Sequence, residues 1–327
     1  MGLPFLKDID MNSEMNLYYS YAEYLKEKYG EKVYKRPVNL PVSCPNRTDG
    51  AGCSFCADEG TGFEASDCHM PVQEQLERSR EKVEKRYHAR RFIAYFQNYT
   101  NTFLPLESLM EYIAQAGEIK DIVEICISTR PDCIRSDYLE AFRNYRDRTG
   151  IEISIELGLQ TVNYHTLKKV RRGHGLAEFI NAVLMIEPYH FPVCAHMILN
   201  LPGDTMEDAC ESARILSALP ISMVKLHSLY IPQKSLLCQE YRDGRIKICS
   251  KEEYLNRLAE FLALLRPNIV VERLFSRIPE KDAAFCNWGC SWWKLTDEWK
   301  ELMQQKGYVQ GIHYDYLNGA ALNRWGM

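Results

Sequence analysis

Short apolar runs alternate with longer amphipathic stretches along most of this chain. Six runs read as strands: YKRPVNLPVS at 34–43, RFIAYFQ at 91–97, IVEICIS at 122–128, IEISIEL at 151–157, PVCAHMILN at 192–200 and SMVKLHSLYI at 222–231. They recur roughly every 30 to 40 residues, the length of a strand, a helix and two short loops. Between them the apolar positions shift to helical spacing. Leu106, Leu109, Met110 and Ile113 fall at i, i+3, i+4 and i+7, and Pro105 suits a first turn. Val72, Leu76, Val83 and Tyr87 share one helical face, with Arg78, Arg80, Lys82, Lys85 and Arg86 over the rest. Thr205 and Asp208 have capping-box spacing, with Asp in place of Glu. Ser250 and Glu253 make the box proper, and Leu255, Leu258, Leu262 and Leu265 then line one face.

Six β-α units in series call for an α/β fold with parallel strands and right-handed crossovers. An incomplete TIM-like barrel and a doubly wound sheet both satisfy that pattern. In either, chemistry gathers at the C-terminal ends of the strands. Residues 1–30 read as an N-terminal helical extension, 31–240 as the core, and 241–327 as a C-terminal α/β appendage that closes the barrel and has room for substrate contacts.

Composition narrows the picture. The 327 residues are 46% hydrophobic and 26% charged, ordinary values for a soluble globular protein, and the net charge of −4 disfavours a broadly basic nucleic-acid binder. The N-terminus lacks the apolar stretch of a signal peptide, and no apolar run is long enough to span a bilayer, so neither membrane insertion nor secretion is expected. Twelve cysteines diluted over this length then read as reduced thiols in a cytoplasmic protein. Cys126, Cys194 and Cys210 sit in apolar segments, where a free thiol acts as a small hydrophobe.

The stretch SCPNRTDGAGCSFCADEG (43–60) directly follows the first strand and spaces Cys44, Cys53 and Cys56 as C-x8-C-x2-C. Cys68 and His69 follow. Zinc closed by Cys44, Cys53, Cys56 and Cys68 fits this set. So does an iron–sulfur cluster on three thiolates, with one iron left open to a ligand. Three cysteines alone do not choose between them.

The stretches CPNRTDGAGCSFC, IAYFQNYTNTF, STRPDCI, IELGLQT, VRRGH, ILNLPGDT and VKLHSLYI occur in that order between residues 15 and 240. With them the chain resembles the radical S-adenosylmethionine (SAM) superfamily, whose cluster loop ends in C-x-aromatic-C, here CSFC with Phe55. More narrowly it resembles the YhcC-type family, bacterial relatives of the radical SAM domain of the elongator catalytic subunit. The resemblance implies a [4Fe–4S] cluster on Cys44, Cys53 and Cys56, bound SAM, a partial (β/α)6 barrel, and a reductant such as flavodoxin or ferredoxin. The eight-residue gap departs from the superfamily's commoner three-residue spacing and fits this family's longer loop.

Candidate cofactor contacts lie at the strand ends. Gln97 and Asn98, with Thr100, Asn101 and Thr102, offer acceptors where the superfamily holds the SAM amino group, although the usual Gly-Gly-Glu is absent; an ordinary polar turn is the alternative. Arg130 suits the SAM carboxylate or a substrate phosphate, and Asp132 either joins it or caps a helix beginning near Ser136. Glu156, with Gln160 beyond it, is a carboxylate inside an apolar strand and needs a partner. The resemblance points to the ribose hydroxyls or methionyl end of SAM, against a buried structural pair. KKVRRGH (168–174) is either a solvated helix end or, with Arg171 or Arg172 turned inward, a site for the SAM carboxylate or nucleic-acid phosphate. Gly203 frees the backbone to approach an adenine. His227 is either a satisfied core histidine or a neighbour of the adenosine. Beyond the barrel, Trp288, Trp292, Trp293 and Trp299 form a core patch or stack a base beside Lys294, and no second cluster is expected on Cys286 and Cys290.

Three functions follow. The first is a radical SAM enzyme acting on RNA, with a tRNA wobble uridine side chain as target. The second is a radical SAM enzyme acting on a small molecule or protein, which the negative charge favours. The third is a non-catalytic zinc-binding module.

Overall fold

A computed structural model describes residues 16–48, 50, 52–56, 66–87, 89–277 and 282–323. All six sequence-predicted strands form: β1 (Val33–Val38), β2 (Arg91–Phe96), β3 (Ile122–Thr129), β4 (Glu152–Gln160), β5 (Val193–Ile198) and β6 (Met223–His227). They pair in parallel and in chain order, joined by helices such as Leu106–Gly117, Ser136–Thr149, Leu176–Ile186 and Met206–Ala218.

The last run is shorter than its apolar stretch. After His227 the chain leaves the sheet, because Ser228 hydrogen-bonds Ser276 and the Leu229 amide donates to Asn200 Oδ1 at 2.7 Å. The following segment, β7 (Tyr230–Pro232), pairs instead with β9 (Ala283–Cys286) in a small antiparallel ribbon. A seventh parallel strand, β8 (Val270–Arg273), then joins β6. The stretch after residue 240 therefore contributes a strand to the main sheet.

Alternation along the strands sorts residues to two faces. Outward residues such as Phe92, Ile125, Ile155, Ala195 and Val224 meet buried helix positions including Leu109, Ile113, Phe142, Phe179 and Leu258 in the main core. Helices therefore cover this face, as parallel sheets require. The inward face curls into a half-barrel, bringing Lys35 of β1 to Glu272 of β8 at 2.7 Å. The N-terminal helix Tyr21–Tyr29 packs into the same interior: Leu25 clusters with Ile93, Tyr95 and Cys126, and Tyr21 and Tyr24 with Cys194, Met223 and Val270. Just before it, Tyr19 accepts the Val271 amide at 2.9 Å.

Local signals behave as their chemistry demands. Thr205 and Asp208 form the reciprocal capping box. Ser250 caps the Glu253 amide at 3.1 Å, but the Glu253 carboxylate turns to Arg257 instead of completing the box. Pro105 sits at the N-cap, one position before the first turn. In the helix Val72–Tyr87, Val72, Leu76 and Val83 are buried, while the side chains of Lys82, Lys85, Arg86 and Tyr87 lie outside the described residues. Trp299 is fully buried, and Trp288 packs against Tyr254 and Phe285, so both are core residues; Trp293 is exposed. Among the described residues no helix is long and apolar enough to cross a membrane.

Candidate functional site

The cysteine loop leaves β1 and is held by its own backbone. The Arg47 and Thr48 amides donate to Cys44 O at 2.8 and 3.1 Å, and the Gly52 amide donates to Asn46 O at 3.0 Å. Gly52 carries a φ of +76°, which a glycine accepts without cost. The loop is then fastened to the turn after the helix Tyr164–Lys169. Ser54 N donates to Val170 O at 3.0 Å, and Asn46 Nδ2 reaches Arg171 O at 2.6 Å and Cys53 Sγ at 3.4 Å. Gly173, φ +80°, belongs to that turn, and a Cβ there would stand 2.6 Å from Asn46 Oδ1.

Two arginines reach the sulfurs. Arg172 is buried and donates to Gly158 O at 2.7 Å, with its other terminal nitrogen 3.5 Å from Cys53 Sγ. A Cβ on Gly158 would fall 2.6 Å from Arg172 Nη2, so the bare backbone admits the guanidinium. Arg130 is gripped by Asp132 at 2.9 and 2.6 Å and donates to Arg172 O at 3.0 Å, leaving Nη1 3.8 Å from Cys44 Sγ. Asp132 thus orients Arg130, and the cap of the helix Ser136–Thr149 falls to Arg135. A hydrogen bond from Cys56 lowers the Cys53 thiol well below its ordinary range; Arg172 and Asn46 add to this and burial opposes it.

These sulfurs open onto a cavity with about 760 Å³ of atom-free space, part of it continuous with solvent. Gln97, Thr100, Arg130, Gln160 and Arg172 line it together with Cys44, Cys53 and Cys56, so the three cysteines and five candidate cofactor contacts converge on one cavity. Gln160 takes a φ of +81° at a register shift of β4. Cys68 is outside that wall; its sulfur groups with Asp67 and His69 ligand atoms, all within 4.8 Å of one another.

Other nominated residues lie elsewhere. Asn98 is buried and spends its amide on Asn39 Oδ1 at 2.8 Å. Gly203, φ +116°, shapes an exposed turn near Thr166. His227 sits behind the wall with its ring 5.5 Å from that of His196; burial and then Arg273 and His196 hold it neutral, well below its usual pKa. Arg171 is exposed while Arg172 is the inward member of the pair.

Glu156 differs most from its expected contact with SAM. Its oxygens are taken up within the chain by Lys35 at 2.5 Å, Tyr95 at 2.6 Å, His196 at 2.5 Å and Lys225 at 3.1 Å. Burial pushes this carboxyl up, but Lys225, Lys35 and His196 outweigh it and hold the group ionised. Glu272 completes the network, 2.8 Å from Lys225. The partner that a buried carboxylate requires is therefore a two-lysine, two-glutamate set beneath the cavity. His196 and Tyr95 carry this set up to the cavity wall, and sequence reasoning missed both. Their signal was parity: Tyr95 and His196, like Lys35, Glu156, Lys225 and Glu272, occupy inward positions of their strands.

Three free cysteines on one loop, with two guanidiniums directed at their sulfurs, fit an anionic thiolate-ligated cluster. Arginine fork geometry beside Gln97 and Gln160 fits a ligand carrying carboxylate and amino groups.

Comparison with known proteins agrees. The Radical SAM superfamily model matches residues 38–216, and the Radical_SAM C-terminal domain model matches 221–305. The uncharacterized protein MJ0486 of Methanocaldococcus jannaschii is 31% identical over 313 residues, covering 94% of this chain and 96% of that one. Protein YhcC of Escherichia coli K12 is 32% identical over 254 residues, 76% of this chain and 80% of its own. A tRNA uridine(34) acetyltransferase of Dehalococcoides mccartyi is 24% identical over 160 residues, 48% of this chain and 34% of that protein. Among solved structures, archaeal Methanocaldococcus infernus Elp3 lacking residues 1–46 shares the fold, with a TM-score of 0.66 at 17% identity, over 85% of this chain and 64% of that one.

Proposed function

The chain belongs to the radical SAM superfamily, and from that membership we propose that Cys44, Cys53 and Cys56 ligate its [4Fe–4S] cluster and that its substrate is the wobble uridine side chain of a tRNA. The family's cofactors are a [4Fe–4S] cluster and SAM. When bound, they supply a one-electron reductive cleavage of the sulfonium that yields a 5′-deoxyadenosyl radical. The observation carrying the site assignment is that Cys44, Cys53, Cys56, Arg130 and Arg172 surround one cavity at the strand ends.

In this reading Arg130 and Arg172 neutralise thiolate charge and would together attract the SAM carboxylate. Gln97 and Gln160 line the same cavity and would accept from the SAM amino group and ribose. Glu156 acts at one remove, by fixing the His196 ring in the wall.

The tRNA reading is supported by partial similarity to tRNA uridine(34) acetyltransferase and by the Elp3 fold. It is tested by comparing the modified nucleosides of tRNA from a deletion strain and its parent, and by whether tRNA raises 5′-deoxyadenosine release from the reconstituted enzyme. Identical nucleosides and no stimulation would move the substrate to a small molecule or protein, which the net charge of −4 favours.

A further inference from the structure

Apart from the three cysteines, His196 is the one residue lining the cavity that can take up a proton near neutral pH. It stands on β5 with 15% of its side chain exposed. Its Nε2 lies 2.5 Å from Glu156 Oε2, the oxygen that also accepts from Tyr95 at 2.6 Å and from Lys225 at 3.1 Å.

These contacts fix which ring nitrogen carries hydrogen. Glu156 is ionised, so its oxygens only accept and Nε2 must donate. Burial pushes His196 below the usual histidine pKa; Glu156 opposes this and Lys225 adds to it, leaving the ring neutral. A neutral imidazole with its hydrogen on Nε2 has a bare Nδ1. No described residue donates to Nδ1, and it is not sealed in the core as the unpaired His174 Nε2 is.

The groups around the ring hold it in that state. Lys35 and Lys225 balance Glu156 and Glu272, so the set beneath it carries no net charge. His227 on β6 is neutral, with Arg273 of β8 near it. Burial keeps the protons on Tyr95 of β2 and on Cys194 of the same strand as His196. Packing needs only the contact with Glu156, and an accessible basic nitrogen on the opposite side of the ring does nothing for the core. A carboxylate that orients an imidazole in this way also stabilises the imidazolium formed when the free nitrogen takes a proton.

We propose that His196 is the proton acceptor of the reaction and that the substrate group it serves carries an O–H or N–H. In this step that bond breaks, the proton bonds to Nδ1, and the electron pair stays on the substrate. Nε2–H keeps the new imidazolium against Glu156, which is a positioning residue. Together with the hydrogen atom removed by the family's radical chemistry, the substrate loses one hydrogen atom and one proton, and the step calls on no further oxidant or reductant. The assignment rests on the radical SAM reading but not on tRNA as the substrate.

The first measurement needs no substrate. Exchange of histidine C2 hydrogens in D2O, followed by mass spectrometry of the reconstituted enzyme over a range of pH, reports the access and ionisation of each ring. His196 should exchange and should titrate below the exposed His165. Glu156→Gln should lower its protonation constant about tenfold or more, the effect of losing one adjacent charge. No exchange at His196, or a midpoint untouched by Glu156→Gln, overturns the proposal. Should that variant fail to fold, His196→Gln decides, since it keeps a donor toward Glu156 and has no basic nitrogen. With tRNA from the deletion strain and dithionite, His196→Gln should cut tRNA-dependent release of 5′-deoxyadenosine about a hundredfold or more, and by more than it weakens SAM or tRNA binding. Wild-type release should fall only below the ordinary histidine pKa of about 6.5. An unchanged rate, or a loss matched by lost binding, overturns the proposal. Wild type that ignores tRNA would fail the tRNA reading alone, and the exchange measurement would still judge His196.

Discussion

Glu156 of β4 and Lys225 of β6 lie 3.1 Å apart, and neither side chain exposes more than 3% of its surface. Such a pair is a weak source of net stability, but removing one partner strands a charge out of water. Lys225→Met should therefore cost about 3 kcal/mol in urea unfolding. Adding Glu156→Gln to that variant should recover part of the loss. A double variant as unstable as the sum of its singles would mean that the two groups do not depend on each other.

Cys44→Ala, Cys53→Ala and Cys56→Ala should each abolish the iron–sulfur absorbance and iron content of anaerobically purified protein, since three ligands leave no redundancy. Cys68→Ala should keep both, because Cys68 lies outside the cavity wall. Retained iron in Cys44→Ala with loss in Cys68→Ala would reassign the ligands.

Gly158→Ala puts a methyl group 2.6 Å from Arg172 Nη2 and 2.8 Å from Gln160 Nε2. Both are the far ends of flexible side chains, so the chain should fold and keep its iron while the guanidinium moves away. SAM affinity should fall about tenfold, the scale of one lost charge-assisted contact. The check is SAM titration against wild type and Arg172→Ala; affinity unchanged in both variants would remove Arg172 from the binding site.

Asp204 gives a pH signature. Burial raises its carboxyl from the ordinary aspartate value to about 6, although the Thr166 and Thr161 hydroxyls oppose the shift. Between pH 4 and 6 the folded chain thus holds a proton that the unfolded chain releases, so this residue's contribution to stability falls as pH rises through that window. Asp204→Asn should match wild type near pH 4 and exceed it by about 1 to 3 kcal/mol at pH 8. Chemical unfolding at both pH values measures the difference, and an equal offset at both would exclude the titration of Asp204 as its cause.

The order of strands was legible because each β-α unit carries its own period and caps, and these are local properties. The three cysteines, Gln97, Arg130 and Gln160 were legible as a group because they lie at or just past strand ends, where a parallel half-barrel gathers its chemistry. β8 was not, because four residues after a leucine-rich helix give too little alternation to mark a strand. Nor was the true partner of Glu156. Lys35, His196 and Lys225 come from three other strands, up to 121 residues away, and only the curl of the sheet brings them to one carboxylate. The inward arginine of the RRG pair depended on the turn at Gly173, which sequence spacing does not specify.

The Lys35–Glu272 contact also bears on how the molecule is made. Its partners are 237 residues apart, on the first and last strands of the sheet. During synthesis the cysteine loop emerges early, yet the interior beneath it keeps Lys35 without Glu272 until nearly the whole chain has left the ribosome. A nascent chain ending before β8 would thus present its cysteine loop above an unfinished, charged interior. Long-range closure of this kind is slow to form. It places completion of the interior under the timing of the C-terminal strand, so that a chain truncated before residue 270 should leave Lys35 and Lys225 without Glu272 and unfold less cooperatively than the full chain.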